Sequence, residues 1–190
     1  DAGRLGAHVV FFTHFRKSFN DLAEKLAEAG VYYRKVQSSV DRLTGRGVFR
    51  QPTPGGVALF LVSALPEEGW TPEEPSDGGI TLRLVVTERY PVPKPDQRIE
   101  RFADSLRVPV ELEYHGALDE PLFQIFGGNR IVEIFKQMRV NEDECIQGSL
   151  ISKAVKRAQE RLAQNLTIES TSDSVEEWVA RNAPDALGNG

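Results

Sequence analysis

Two short apolar runs constrain this chain more than any other feature. His8-Val9-Val10-Phe11-Phe12-Thr13 is β-branched and aromatic with few polar interruptions, and Val57-Ala58-Leu59-Phe60-Leu61-Val62-Ser63 is the most hydrophobic run of the chain. A strand with water on one face alternates apolar and polar residues. A run that stays apolar at successive positions suits a strand covered on both faces, as in a parallel sheet between helices. Val31 to Val36 and Ile80 to Val86 read as further strands, and Val108 to Tyr114 alternates as a fifth.

Helical segments separate these strands. Phe19, Leu22, Ala23, Leu26 and Ala27 recur at helical spacing. Ser18 is expected to cap this helix with Asp21 in its first turn, and Gly30 to end it where left-handed backbone costs little. The first strand, this helix and the second strand form a β-α-β unit with an expected right-handed crossover. A short helix is expected around Val40 to Leu43, and another on Ile99, Phe102, Ala103 and Leu106. Pro66 to Gly79 (PEEGWTPEEPSDGG) is too polar for a core and reads as an exposed linker. From Leu118 the pattern is helical, through Ile131 to Met138 and Ser149 to Leu166, and Ser174 is placed to cap a last helix. The expected organisation is a leader at 1–7, an α/β domain at 8–126 with the linker 66–79 inside it, a helical extension at 127–183 and a tail at 184–190.

Charge and cysteine usage narrow the class of function. The net charge of −5 argues against coating nucleic acid, which needs concentrated Lys and Arg. The single cysteine, Cys145, excludes an intrachain disulfide and any multi-cysteine metal site. No apolar run approaches the ~18 residues of a membrane span, so a soluble, cytoplasmic chain is expected. Starting at Asp1 rather than Met, the sequence reads as a segment of something longer. His115 lies near Asp119 and Glu120 without an identified third ligand, so no metal site is expected. His14, at the end of the first strand, has no evident acid or nucleophile partner.

The stretch from Thr87 to Phe126 resembles the second motor domain of the SecA preprotein translocase ATPases. The match runs through Thr87-Glu88-Arg89, resumes at Asp96 and keeps register to Leu122, Ile125 and Phe126. Upstream, Thr13, Ser18, Leu22, Leu26, Gly30, Pro54, Gly55, Val57 and Ala64 fall on family positions. Downstream, so do Gly127, Gly128, Arg130, Arg139, Val140, Glu142, Asp143, Ile146, Ala158 and Gln159. The resemblance covers about residues 8 to 165. It implies a RecA-like, mostly parallel sheet flanked by helices, followed by a C-terminal helical extension.

The resemblance also marks what is lost. The family's two phosphate-reaching arginines fall on Glu100 and Ser105, and the glycine between them on Arg101. The loop that links nucleotide state to movement becomes Leu65-Pro66-Glu67-Glu68-Gly69, and no GxxxxGK[ST] occurs. Thr13, Glu67, Glu68, Glu100, Arg101 and Ser105 would therefore line a degenerate nucleotide cleft, with no catalytic residue and no cofactor. The resemblance then implies a non-catalytic motor remnant acting as a protein-binding or scaffold module, possible in protein translocation. The alternative is a half-motor that needs a separate phosphate-loop domain. His14, Leu65, Trp70 and Trp178 are the candidate contacts for a protein partner. Glu67, Glu68 and Glu100 would favour a basic segment there.

Overall fold

The computed structural model describes residues 7–38, 41, 47–49, 53–65, 81–116 and 149–184. The linker 66–79, the stretch from Leu118 to Met138, Cys145 and all of the expected helix at 40–43 except Asp41 lie outside those residues. The chain forms β1 (His8–Thr13), α1 (Arg16–Glu28), β2 (Arg34–Val36), β3 (Val57–Leu61), β4 (Leu82–Val86), α2 (Pro93–Ser105) and β5 (Val110–Tyr114). It continues with α3 (Ser149–Asn165) and α4 (Val175–Asn182). Every strand pair is parallel, in the order β2-β3-β1-β4-β5. This is the RecA-like α/β architecture expected from the sequence.

The two apolar runs lie side by side because each has two faces to bury. On one face Val10, Phe12, Ala58 and Phe60 pack with Ile99, Phe102 and Ala103 of α2. On the other, Leu59, Leu61 and Phe11 pack with Phe19 and Ala23 of α1. Phe49 meets the rings of Phe60 and Phe102 at centroid distances of 5.3 Å and 4.9 Å. The parallel register pairs Phe12 with Phe60 on one side and with Val86 on the other.

In the sheet β3 lies between β1 and β2, the two strands of the β-α-β unit. The central place goes to the strand with two apolar faces, and β2, with Arg34 and Lys35 exposed, suits an edge. β2 also starts at Arg34 instead of Val31, leaving Tyr32 90% exposed. β3 ends at Leu61, where Val62–Ala64 turn into a 3-10 helix, and β5 begins after Pro109. Finally, α1 starts at Arg16 with Phe15 as its N-cap and no side-chain cap, so Ser18 is not the cap. Asp21 pairs with Lys17 one turn back. Gly30 takes φ +67° past the helix end, as expected.

The residues divide into two compact units. One comprises Asp1–Arg89 and Lys94–His115, and the other Tyr90–Pro93 and Gly116–Gly190. The boundary expected at 126/127 lies outside the described residues. In the second unit Ser174 caps α4, its Oγ accepting the Glu177 N–H at 3.2 Å. Among the described residues no helix is long and apolar enough to cross a membrane.

The amino end of β1 carries an acid-sensitive contact. His8 is buried, and its Nδ1 accepts the Thr53 N–H at 2.9 Å. A Cβ on Gly56 would fall 2.6 Å from that nitrogen, so the ring and the turn fit together only with glycine there. Burial, helped by the positive charge of Arg34, holds His8 below its ordinary pKa. The unfolded chain therefore binds this proton more readily, near pH ~6.5. The contribution is complete above that pH and is lost as pH falls through the lower folded value. Thermal midpoints should fall between about pH 6.5 and 5, and His8→Asn, which keeps an acceptor but cannot titrate, should flatten that acid limb. An unchanged acid limb in the variant would exclude His8 as its source.

Candidate functional site

In parallel α/β sheets, ligands sit beyond the carboxyl ends of the strands where the strand order reverses. Here the order reverses at β1, between β3 and β4. The ends are stitched together: Thr13 Oγ1 donates to the Phe60 carbonyl at 3.4 Å, and Thr87 Oγ1 to the Phe12 carbonyl at 3.2 Å. Just beyond them stand His14 and Glu88.

Glu88 supplies from β4 the cap that α1 lacks. Its Oε1 accepts the N–H groups of His14 at 2.8 Å and Phe15 at 3.2 Å. Its Oε2 accepts the Ser18 hydroxyl at 2.6 Å. A helix start exposes unpaired N–H donors and the positive end of the dipole, and a carboxylate answers both. Glu88 is only 7% exposed, so this carboxylate belongs to the interior of the sheet unit. The serine expected to cap its own helix instead orients the acid that does so.

A second acid, Asp96, sits in the first turn of α2. His14 Nε2 lies 2.8 Å from its Oδ1, with side-chain exposures of 1% and 4%. Arg89 Nη1 donates to its Oδ2 at 3.3 Å. The guanidinium of Arg89 also lies 3.3 Å above the centre of the Tyr114 ring, in cation–π contact. The Tyr114 hydroxyl donates weakly, at 3.4 Å, to the Asp96 carbonyl and to Glu100 Oε1. Burial, reinforced by the negative charge of Asp96, pushes the Tyr114 pKa well above its ordinary value, so the hydroxyl stays a donor. His14 thus has the acidic partner that the sequence does not reveal. Yet a general base needs a face open to substrate, and the His14 ring has almost none.

The expected cleft residues are only partly brought together. Glu100 and Arg101 are exposed on α2, and Arg101 Nε donates to the Gln97 carbonyl one turn back at 3.3 Å. Ser105 Oγ donates to the Phe102 carbonyl of its own helix at 2.7 Å. Thr13 is fully buried. Leu65 is fully buried in the apolar core, its N–H donating to the Val62 carbonyl and its own carbonyl accepting from Arg98. Trp178 is 0% exposed within the second unit. Leu65 and Trp178 are therefore corrected as side chains offered to a partner: their apolar surface is already spent on packing. Glu67, Glu68 and Trp70 lie outside the described residues.

Glu88, Arg89, Asp96 and Tyr114 were not legible as a site. The only signal was the Thr87-Glu88-Arg89 triplet and the resumption of the family pattern at Asp96. Local sequence does not tell a buried acid after a strand from a solvated one. His115 pairs with Glu113 at 3.1 Å, and Arg83 also forks onto Glu113 at 2.8 Å and 3.1 Å. Those contacts, Arg83 foremost, hold the Glu113 carboxyl below its usual range. Asp119 and Glu120 lie outside the described residues.

A parallel five-stranded sheet covered on both faces, with polar groups gathered at the ends of its central strands, fits a RecA-like α/β domain. Comparison with curated proteins makes the class more specific. The chain is 32% identical over 84 residues to the protein translocase subunit SecA of Christiangramia forsetii, covering 44% of this chain and 8% of that protein. It is 30% identical over 95 residues to SecA of Flavobacterium psychrophilum, covering 50% and 8%, and 32% identical over 81 residues to SecA of a Hydrogenobaculum species, covering 43% and 9%. The chain therefore carries a SecA-like motor-domain segment, and the match spans under a tenth of those relatives. No protein-family model matches it. Among solved structures, the C-terminal part of the Fun30 ATPase domain covers 83% of this chain and is itself covered over 48%, at 12% identity and a TM-score of 0.39, too low to bear on function.

Proposed function

We propose that this chain is a SecA-like motor segment that has given up catalysis and serves protein translocation as a protein-binding or scaffold module. The observation that carries this reading is the pair of α2 positions where the SecA pattern has phosphate-reaching arginines. One presents exposed Glu100, and at the other Ser105 turns its hydroxyl onto its own helix. Three nearby cations are engaged within the chain: Arg89 by Asp96, Arg98 by the Leu65 carbonyl and Arg101 by the Gln97 carbonyl, while Arg107, past the end of the helix, is exposed. Catalysis of phosphoryl transfer needs fixed positive charge aimed at the transferring group, and a carboxylate there opposes it. The negative charge of exposed Glu100 suits a basic protein segment, and Glu67 and Glu68, on the loop position of the same family pattern, are assigned to the same surface.

Steady-state phosphate release tests this directly. The chain alone should release no phosphate from ATP above a mock-purified background. It should stay inactive when mixed with the first, phosphate-loop-bearing motor domain of a SecA relative. Turnover appearing only in the mixture would replace this reading with the half-motor. For the partner surface, Glu100→Arg combined with Glu67→Lys and Glu68→Lys should abolish retention on an immobilised Lys/Arg-rich peptide. Unchanged retention and salt sensitivity would remove this face from the assignment.

A further inference from the structure

Past Asn165 the chain leaves the SecA-like pattern, and there it carries a further polar cluster, in which exposed Glu169 meets half-buried Tyr90 and fully buried Trp178. Tyr90–Pro93, which follow β4 and Arg89, fall in the same compact unit as Gly116–Gly190. Glu169 Oε1 accepts both the Tyr90 hydroxyl at 2.5 Å and the Trp178 indole N–H at 2.8 Å. The Tyr90 and Trp178 rings meet edge to face with centroids 6.0 Å apart. From α3, Gln159 Nε2 donates to the Tyr90 carbonyl at 2.7 Å. The segment is also closed on itself. Asn182 Oδ1 accepts the Ser170 N–H at 2.7 Å, and Asn182 Nδ2 donates to the Ser170 and Trp178 carbonyls.

Tyr90 sits between residues of the strand-end cluster. Glu88 and Arg89 precede it directly, and Asp96 follows after Pro91-Val92-Pro93-Lys94-Pro95. Three prolines in that stretch fix φ and leave little slack, so holding Tyr90 also limits where the residues on either side can go. Ordering a stretch already stiffened in this way costs little extra entropy.

We propose that 166–182 is a releasable clamp on the loop between β4 and α2. While Glu169 and Trp178 hold Tyr90, the carboxylates of Glu88 and Asp96 stay locked on α1, His14 and Arg89. Release of α4 loosens them. This clamp does not depend on the function proposed above, because it concerns the loop and not its ligand. It lies in the part of the chain where the family pattern has ended.

Hydrogen–deuterium exchange on the full chain tests it. Trp178→Ala and Glu169→Ala should speed exchange in peptides covering Thr87 to Arg98 by about tenfold, and also at the start of α1, which Glu88 caps. Central β1 and β3 should stay protected, and Ile168→Ala, at an 82% exposed side chain of the same segment, should change nothing there. Acceleration confined to peptides from 149–184 would overturn the proposal. If Trp178→Ala unfolds the whole chain, Tyr90→Phe decides, since it keeps the ring and removes only the hydroxyl. About threefold faster exchange across Thr87 to Arg98 supports the clamp, and unchanged exchange refutes it.

Discussion

Glu88→Ala should lower the thermal midpoint by roughly 6–12 °C, or about 3 kcal/mol for a chain of this size. The variant strips three donors of their acceptor at once: the N–H groups of His14 and Phe15 and the Ser18 hydroxyl. Each unsatisfied buried donor costs about 1–3 kcal/mol, and water entering the alanine space returns part of that. No other side chain caps the helix, because Phe15 at the N-cap has no oxygen to offer. Glu88→Gln keeps one acceptor oxygen and loses the charge that favours the positive helix end, so about 1 kcal/mol is expected. Ser18→Ala removes a single bond and should cost a similar amount. The order Ala, then Gln, then wild type in thermal melts is the signature of a capping carboxylate. A Glu88→Ala melt within about 2 °C of wild type would show that the donors rehydrate freely.

A still larger loss is expected for Asp96→Ala, about 3–5 kcal/mol in urea unfolding. Removing this acid leaves Arg89 without its carboxylate and the His14 ring without its neighbour at 2.8 Å, in a place where both are largely hidden from water. An uncompensated buried charge is costly because solvent no longer reaches it. Asp96→Asn preserves shape and one acceptor and should fall about midway. Arg89→Ala should cost less, since its guanidinium is 18% exposed and loses chiefly the Tyr114 stacking and one long bond. The double variant should show a coupling of about 1–2 kcal/mol. Additivity within about 0.5 kcal/mol would mean that Asp96 is held by His14 and the helix start, not by Arg89.

Much of this architecture is written in short-range pattern. His8–Thr13 and Val57–Leu61 announce strands with two buried faces because no polar residue interrupts them, and the sheet buries both faces. Phe19 and Ala23, and Ile99, Phe102 and Ala103, announce helix faces by their spacing, and both faces meet the sheet. Gly30 and Ser174 announce helix ends through backbone freedom and a short side chain that can reach back. Each of these depends on residues a few positions apart, so the sequence alone determined them.

Tertiary structure decided what depends on distant residues meeting. β3 enters between β1 and β2 because hydrogen-bonded neighbours are chosen by competing burial, which adjacency in sequence does not report. Ser18 loses its expected role because Glu88, from a different strand, reaches the helix start first with a charge. His14 gains Asp96, and Tyr90 gains Glu169 and Trp178, for the same reason. An acid's solvation is a property of the three-dimensional surroundings, so Glu88 inside and Glu100 outside look alike until the sheet brings α1 beside the end of β4.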